Sequence, residues 1–440
     1  MIKKLNLHNI GPAPDLEAEF GERLNVITGD NGLGKTFLLD ACWYALTKRT
    51  WAEGREFYPA SKTGKADPPR IEYTLVGASG KPAASQVVFN FQTQSWQGKE
   101  GRPAMPGLVV YARIDGGFSV WDPAQHYWME EDDDGESSSE TRETLEAFQF
   151  SKAQVWNGLP EGAARIEDII CNGLLRDVEN WRLKGNGVFD LFQQVLKHLS
   201  SGDGEMLKIG AQSVTVGRSL VEIPTLVMPY GEIPITQAAA GMKRVLALAY
   251  LLVWAWETHK KASLNKRAEP TKRMVLLFDE VEAHLHPKWQ KVLLPAVLKT
   301  VESLLLMDHA ESVQIIATTH APLVLGSVET LWDKTKDQLF DFDLAEGQVS
   351  LEAIEFFKHG SAENWLGSDS FDLPADYPGY SLQAQKAMRR ADAFMIENSD
   401  PRGFAGEMES IHEELQRTLG NDDEYWPYWL PYFDKRKDAA

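Results

Sequence analysis

Gly29-Asp30-Asn31-Gly32-Leu33-Gly34-Lys35-Thr36 is the stretch from which the rest of the chain can be read. Glycines at both ends of four intervening residues, then a lysine and a hydroxyl, form the pattern of a loop that wraps phosphate oxygens in backbone N–H groups. Glycine keeps side chains out of the way where the backbone turns inward. Asn31, Gly32, Gly34, Lys35 and Thr36 are therefore the candidate nucleotide-binding residues. In this pattern Lys35 neutralises the β and γ phosphates of ATP and Thr36 holds Mg²⁺ through its hydroxyl. The flanks agree, since residues 24–28 read as a short apolar strand and 37–46 as an apolar helix. A helix starting near Lys35 adds the positive end of its dipole. Further upstream, 5–9 and 16–20 read as strands around the turn Gly11-Pro12-Ala13-Pro14.

Three later segments carry matching chemistry. An apolar strand at 274–278 delivers Asp279 and Glu280 at its carboxyl end, where ligands sit in open α/β sheets. Asp279 is the candidate Mg²⁺ ligand, and Glu280 the general base that polarises an attacking water. A second apolar strand, 313–318, leads to His320, placed to contact a γ-phosphate and orient that water. Between loop and acids, Ala238-Ala239-Ala240-Gly241-Met242-Lys243-Arg244 opens a helix predicted over 236–256.

The ordered set of loop, helix opening, acidic strand and histidine strand resembles the ABC-type ATPase superfamily. The run Asp279-Glu280-Val281-Glu282-Ala283-His284-Leu285-His286-Pro287 is similar to the branch holding structural-maintenance-of-chromosomes (SMC), RecF and OLD-type ATPases. The chain has no heptad arms, and its Ala238–Trp256 helix and aromatic tail resemble the compact ATPases of prokaryotic antiphage defence systems such as Septu and PARIS. The resemblance covers 1–49 and 230–325. It implies that two heads sandwich ATP, the signature Ala239, Ala240, Gly241 and Met242 of one head capping the nucleotide on the other. The family's usual serine falls at Ala239 or Ala240, where no hydroxyl is available. Lys243 and Arg244 either compensate or form a solvated helix face. His284 and His286 fall in the family's D-loop and, lacking a third ligand nearby, are not read as a zinc pair. Gln154 and Gln149 are both candidates for the family's Q-loop glutamine. With one phosphate loop per chain, a homodimer, a higher homo-oligomer or pairing with another head is implied.

The chain of 440 residues has 45 basic against 64 acidic residues, a net charge of −19. Such a surface repels nucleic acid on average, so DNA or RNA contact requires a local basic patch or a partner. Lys260, Lys261, Lys266, Arg267, Lys272 and Arg273 supply a candidate patch. Cys42 and Cys171 form neither a metal pattern nor a disulfide framework. No apolar signal segment follows the first residues, and 245–256 is too short to span a membrane. A cytoplasmic protein with no membrane partner is expected.

The expected fold class is α/β: an ABC-type P-loop ATPase head with a mixed α/β insertion and a helical C-terminal region. The head comprises 1–50 and 226–350, the inserted lobe 51–225, and the helical, aromatic-rich region 351–440. Within these, strands are predicted at 85–91 and 108–113, helix at 166–199 interrupted near Gly185 and Gly187, and helix at 287–306. Residues 257–272 read as a polar connector and 130–140 as a solvated acidic loop. Trp365, Tyr425, Trp426, Tyr428, Trp429, Tyr432 and Phe433 read equally as anchors for a protein partner or as packing of the tail onto the ATPase. Asp341-Phe342-Asp343 reads as a strand end rather than a nuclease pair. The expected function is an ATP-hydrolysing switch that controls a separately encoded nuclease or toxin. The alternative is a RecF-like repair or recombination ATPase acting directly on DNA. A chain that is itself a nuclease forms a third class.

Overall fold

The computed structural model describes residues 1–47, 49–52, 54–59, 67–77, 79–98, 104–126, 146–159, 169–200, 206–218, 220–305, 312–368, 371, 377–398 and 404–435. The acidic loop expected at 130–140 lies outside them. The chain divides into two units, 1–358 and 359–440.

In the first unit, β1 (Ile2–His8) and β2 (Asp15–Glu19) pair antiparallel. Leu5, Leu7, Leu16 and Ala18 face inward, as period-two alternation dictates. Next, β3 (Leu24–Gly29) leads through the glycine loop into α1 (Lys35–Leu46). Then β4 (Arg70–Val76), β5 (Pro82–Asn90) and β6 (Ser95–Gly98) extend the first sheet in the order β2-β1-β4-β5-β6. The α1 helix is buried nearly all round because it lies between two sheets. Leu5, Ile71 and Val87 join Leu38, Leu39 and Trp43 in one core with Val275, Leu277 and Ile316.

The chain continues as β7 (Leu108–Ala112), β8 (Phe118–Trp121), α2 (Pro123–His126), β9 (Phe148–Phe150), α3 (Lys152–Asn157), α4 (Leu174–Lys184) and α5 (Val188–His198). A small antiparallel sheet of β10 (Ile209–Thr215), β11 (Glu222–Met228) and β12 (Gly231–Pro234) precedes the long helix α6 (Ala240–Asn265). After it come β13 (Arg273–Phe278), α7 (Pro287–Gln290), α8 (Leu293–Leu304), β14 (Ser312–Thr318), α9 (Pro322–Val328), β15 (Gln338–Ala345) and β16 (Gln348–Ile354). The central sheet runs β16-β15-β3-β14-β13-β7-β8-β9. Its β15, β3, β14, β13 and β7 are parallel, with helices on their faces, so they read as continuous apolar runs.

Several sequence expectations change here. Residues 51–225 do not stand apart as one lobe, because β4–β6 complete the first sheet and β7 pairs with β13 in the central one. The polar stretch after 256 is not a connector from its start, since α6 runs on to Asn265. It keeps a buried side through His259 and Ser263 while its charged face is solvated. The helix expected at 287–306 is two helices, broken where Val292 leaves helical geometry at φ −126°. Residues 351–354 belong to β16, which pairs with β15, and are not helical. The break near Gly185 and Gly187 falls between α4 and α5 as expected.

The second unit holds α10 (Ala362–Leu366), α11 (Leu382–Glu397), α12 (Ala405–Thr418) and α13 (Trp426–Asp434). Its aromatic residues build a core of their own. Trp429, Tyr432, Phe433 and Tyr425 pack with Met388, Ala391, Met408 and Leu415. The Trp429 indole donates to His412 Nδ1 at 3.1 Å, and Tyr425 Oη donates to Asp392 at 2.7 Å. No helix among the described residues is long and apolar enough to cross a membrane.

A buried His–Asp pair ties the end of β8 to α6. The Thr271 amide donates to His259 Nε2 at 2.9 Å, so Nδ1 carries the proton given to Asp122 at 2.6 Å. Desolvation alone would raise the Asp122 carboxyl, but hydrogen bonds from His259, Gln125 and the Ala124 amide hold it below its ordinary 3.8. A depressed carboxylate stabilises the fold fully above that value and loses the contribution as pH falls through the lowered one. His259→Ala strands a buried carboxylate and is expected to cost about 3 kcal/mol in urea unfolding at pH 7. That loss should shrink on acidification below pH 4.

Candidate nucleotide-binding site

The register of the parallel strands sets the site. Thr318 lies opposite Ile27, Phe278 opposite Ala317, and Ala112 opposite Phe278. The carboxyl ends of β3, β14, β13 and β7 therefore share one edge. That edge brings Gly29–Thr36, Asp279, Glu280 and His320 together although they are far apart in sequence.

The loop closes on itself through Lys35, whose Nζ donates to the carbonyls of Gly29 at 2.7 Å and Asp30 at 2.6 Å. Burial pulls the Lys35 amine below its ordinary value, against the attraction of Glu280 and Asp30. Gly34 caps α1 at φ 108°, where an added Cβ would sit 2.6 Å from the Pro12 ring. Thr36 Oγ1 donates to Asp279 Oδ1 at 2.8 Å, joining the start of α1 to the end of β13. Asp279 is buried; desolvation raises its carboxyl, offset by the hydrogen bond from Thr36 and the charge of Arg55.

Glu280 takes φ 48°, a left-handed conformation uncommon for a side-chain-bearing residue. Thr318 holds it there: Oγ1 accepts from the Glu280 amide at 2.8 Å and its carbonyl accepts from the Val281 amide at 3.1 Å. His320 Nε2 lies 3.7 Å from Glu280 Oε1. Burial, then the charge of Lys35, lower the His320 ring below its ordinary value, which favours the neutral form. His320 is positioned from behind, because its amide donates to Glu282 Oε1 at 2.5 Å.

The signature segment meets the acidic strand within the same chain. Arg244 Nη2 reaches the carbonyls of Glu280 at 3.2 Å and Asp279 at 3.4 Å. Gly241 faces the His284 carbonyl, 2.9 Å from where a Cβ would stand, so packing inside one chain already requires a glycine there. Ala239 caps α6 without a side-chain acceptor; Ala239 and Ala240 are exposed, and Met242 is half-buried. His284 is exposed, while His286 caps α7 by accepting from the Lys288 amide. No cluster of metal-ligating side chains is found among the described residues. Both candidate glutamines are engaged locally: Gln149 accepts from Ser119 and Arg113, and Gln154 forms the capping box of α3 with Ser151. The basic run at 260–273 begins in the last turns of α6, about 30 Å along the helix axis from the signature segment.

Sequence reading missed Thr318, Glu282, Arg55 and Asp40. Arg55 lies 3.4 Å from Asp40 and 3.7 Å from Asp279. Burial pushes the Asp40 carboxyl up to about 6 despite Arg55 and a 2.9 Å hydrogen bond from Tyr111. Glu282 lies within the quoted 279–287 run without a role read for it; Thr318 is brought to the acids by strand pairing, and Asp40 and Arg55 by the packing of α1 and the segment after it.

A family model described as "AAA domain" matches residues 4–146, and one described as "AAA domain, putative AbiEii toxin, Type IV TA system" matches 230–326. The Septu protein PtuA of Bacillus thuringiensis is 22% identical over 335 residues, 73% of this chain and 72% of that protein. The Retron Ec83 probable ATPase of Escherichia coli is 32% identical over 164 residues, 34% of this chain; this chain spans 26% of that protein's length. These similarities bear out the expected resemblance to compact ATPases of antiphage defence systems. Among solved structures, an SMC head domain from Thermotoga maritima covers 81% of this chain and 99% of its own at 12% identity and a TM-score of 0.37. An ATP complex of the recombination mediator RecF covers 80% and 97% at 14% identity and 0.38.

Thr318→Val keeps the shape but removes the acceptor of the Glu280 amide. It is expected to lower unfolding stability by about 1–2 kcal/mol, and Thr318→Ser to restore most of it.

Proposed function

We propose that this chain is an ATP-hydrolysing switch, working as a homodimer or higher homo-oligomer in the cytoplasm and controlling a separately encoded nuclease or toxin in antiphage defence. The observation that carries the reading is the Thr36–Asp279 hydrogen bond, which joins the glycine loop to the acidic pair with Glu280 and His320 alongside. The similarity to PtuA over most of both chains supports the defence setting.

The site fits Mg²⁺, since a hydroxyl and a carboxylate converge as hard oxygen donors. Thr36 and Asp279 would hold the ion, which when bound neutralises charge on the phosphate oxygens. Lys35 and the loop amides bind the β and γ phosphates of ATP, with Asn31, Gly32 and Gly34 shaping the loop. Glu280 accepts the proton of the attacking water, and neutral His320 orients that water. The products are ADP and phosphate. The uncapped start of α6 at Ala239–Met242 offers backbone N–H groups to the nucleotide of a second copy, which suits a signature lacking its serine.

Lys35→Ala should abolish nucleotide binding in titration calorimetry; retained affinity would refute the phosphate-loop assignment. Glu280→Gln should slow turnover at least about 100-fold. In sedimentation it should also shift the protein to an ATP-dependent dimer. Normal turnover would put the general base elsewhere. Co-purification with the neighbouring gene product tests the switch: nuclease or toxin activity that ignores the nucleotide state would rule out control by ATP.

A further inference from the structure

A second crevice opens at the same edge of the central sheet, outside the carboxyl ends of β7 and β13 and under the start of α6. It is a cavity of about 270 Å³, just below the size range of small-molecule sites. Ala112 and Phe278, the last residues of two adjacent parallel strands, form its floor. Its walls are apolar and partly aromatic, with Phe118, Trp156 and Leu248 facing the space.

The charges around it run against the rest of the molecule. In a chain of net charge −19, the lining carries Arg113, Lys152, Lys243 and Arg244 against Asp115 alone. Arg113 is engaged, donating to Ser119 at 2.9 Å and the Phe150 carbonyl at 2.9 Å, with Asp115 at 3.5 Å. Arg244 has no such ion pair, although the charges of Glu282, Asp279, Glu280 and Asp115 attract it. Its bonds, at 3.2–3.4 Å, all go to backbone carbonyls, and among the described residues no carboxylate stands within 4 Å of it. A guanidinium has five donors, so further N–H groups remain for a ligand. Lys243 and Lys152 stand at the same opening without an ion-pair partner among the described residues.

From this geometry we infer that the crevice binds a small aromatic anion, its ring between Trp156 and the apolar wall and its charge at Arg244 and Lys243. Flat rings suit aromatic and aliphatic walls. A planar fork beside a flexible ammonium suits a carboxylate or a phosphate ester. Arg244 also holds the carbonyls of Asp279 and Glu280, so an occupant touches the group that links α6 to the acidic strand. The binding claim does not depend on ATP hydrolysis; its regulatory meaning rests on the function proposed above.

The test is titration calorimetry of the full chain with 2-naphthoate, a carboxylate, and 1-naphthyl phosphate, a phosphate ester. Each is run on the wild type, Lys35→Ala, Lys243→Glu and Ala247→Phe, the last filling the cavity from α6. One-to-one binding of either probe, retained in Lys35→Ala and weakened at least about tenfold by Lys243→Glu and by Ala247→Phe, establishes the site. The stronger of the two probes identifies the preferred acid group. No heat with either probe at millimolar concentration overturns the assignment. So does binding that survives both cavity variants, or binding lost in Lys35→Ala, which would put the probe on the phosphate loop. Turnover is measured separately, so an inactive wild type that still binds the probe would sink the ATPase reading and leave this one standing.

Discussion

The alignment of the carboxyl ends of β3, β14, β13 and β7 is the constraint on which the rest of this molecule depends. Hydrogen bonding between parallel strands fixes register, and a one-residue slip would turn each buried strand's side chains to the opposite face. With Phe278 opposite Ala317 and Thr318 opposite Ile27, the acids, the histidine and the glycine loop end at one level. The Thr36–Asp279 hydrogen bond then becomes a local consequence of a global arrangement. Burial of α1 between two sheets anchors that arrangement, each fully buried apolar side chain contributing roughly 1.5–3 kcal/mol.

The same burial sets the electrostatics. Lys35 is pulled down and Asp279 pushed up by loss of water, each partly offset by its neighbours. Charged groups held in such a place are stabilised by a charged ligand more than they would be at the surface. Glu280 is held by its backbone, at a left-handed φ that the Thr318 hydroxyl supports. Strain of that kind persists only where surrounding contacts over-determine it. Here those contacts come from the strand that also delivers His320.

The start of α6 shows how two explanations fall on the same residues. A glycine at 241 is expected from a cap that approaches a partner's nucleotide, and it is also demanded by the His284 carbonyl of its own chain. Arg244, read from sequence as either a substitute for a missing hydroxyl or a solvated cation, instead reaches the backbone of the acidic pair. Within the aromatic tail, Tyr428 stays exposed. Tyr425, Trp429, Tyr432 and Phe433 build the core of the 359–440 unit, because a small helical unit needs large side chains to bury enough apolar surface.

By itself the sequence determined the parts whose chemistry is local. The Gly29–Thr36 loop, the apolar strands ending in Asp279 and before His320, and the interruption between α4 and α5 are each written in a few contiguous residues, where turn chemistry and periodicity act over short range. Only the tertiary structure decided what lies beside what. That β7 joins the acidic strand and that Thr318 holds Glu280 follow from strand pairing between distant segments, and that Arg55 and Asp40 stand near Asp279 and that cations line a second crevice follow from how helices and loops pack on those strands. Such pairings are chosen by the packing of whole sheets against helices, and no short stretch of residues records that choice.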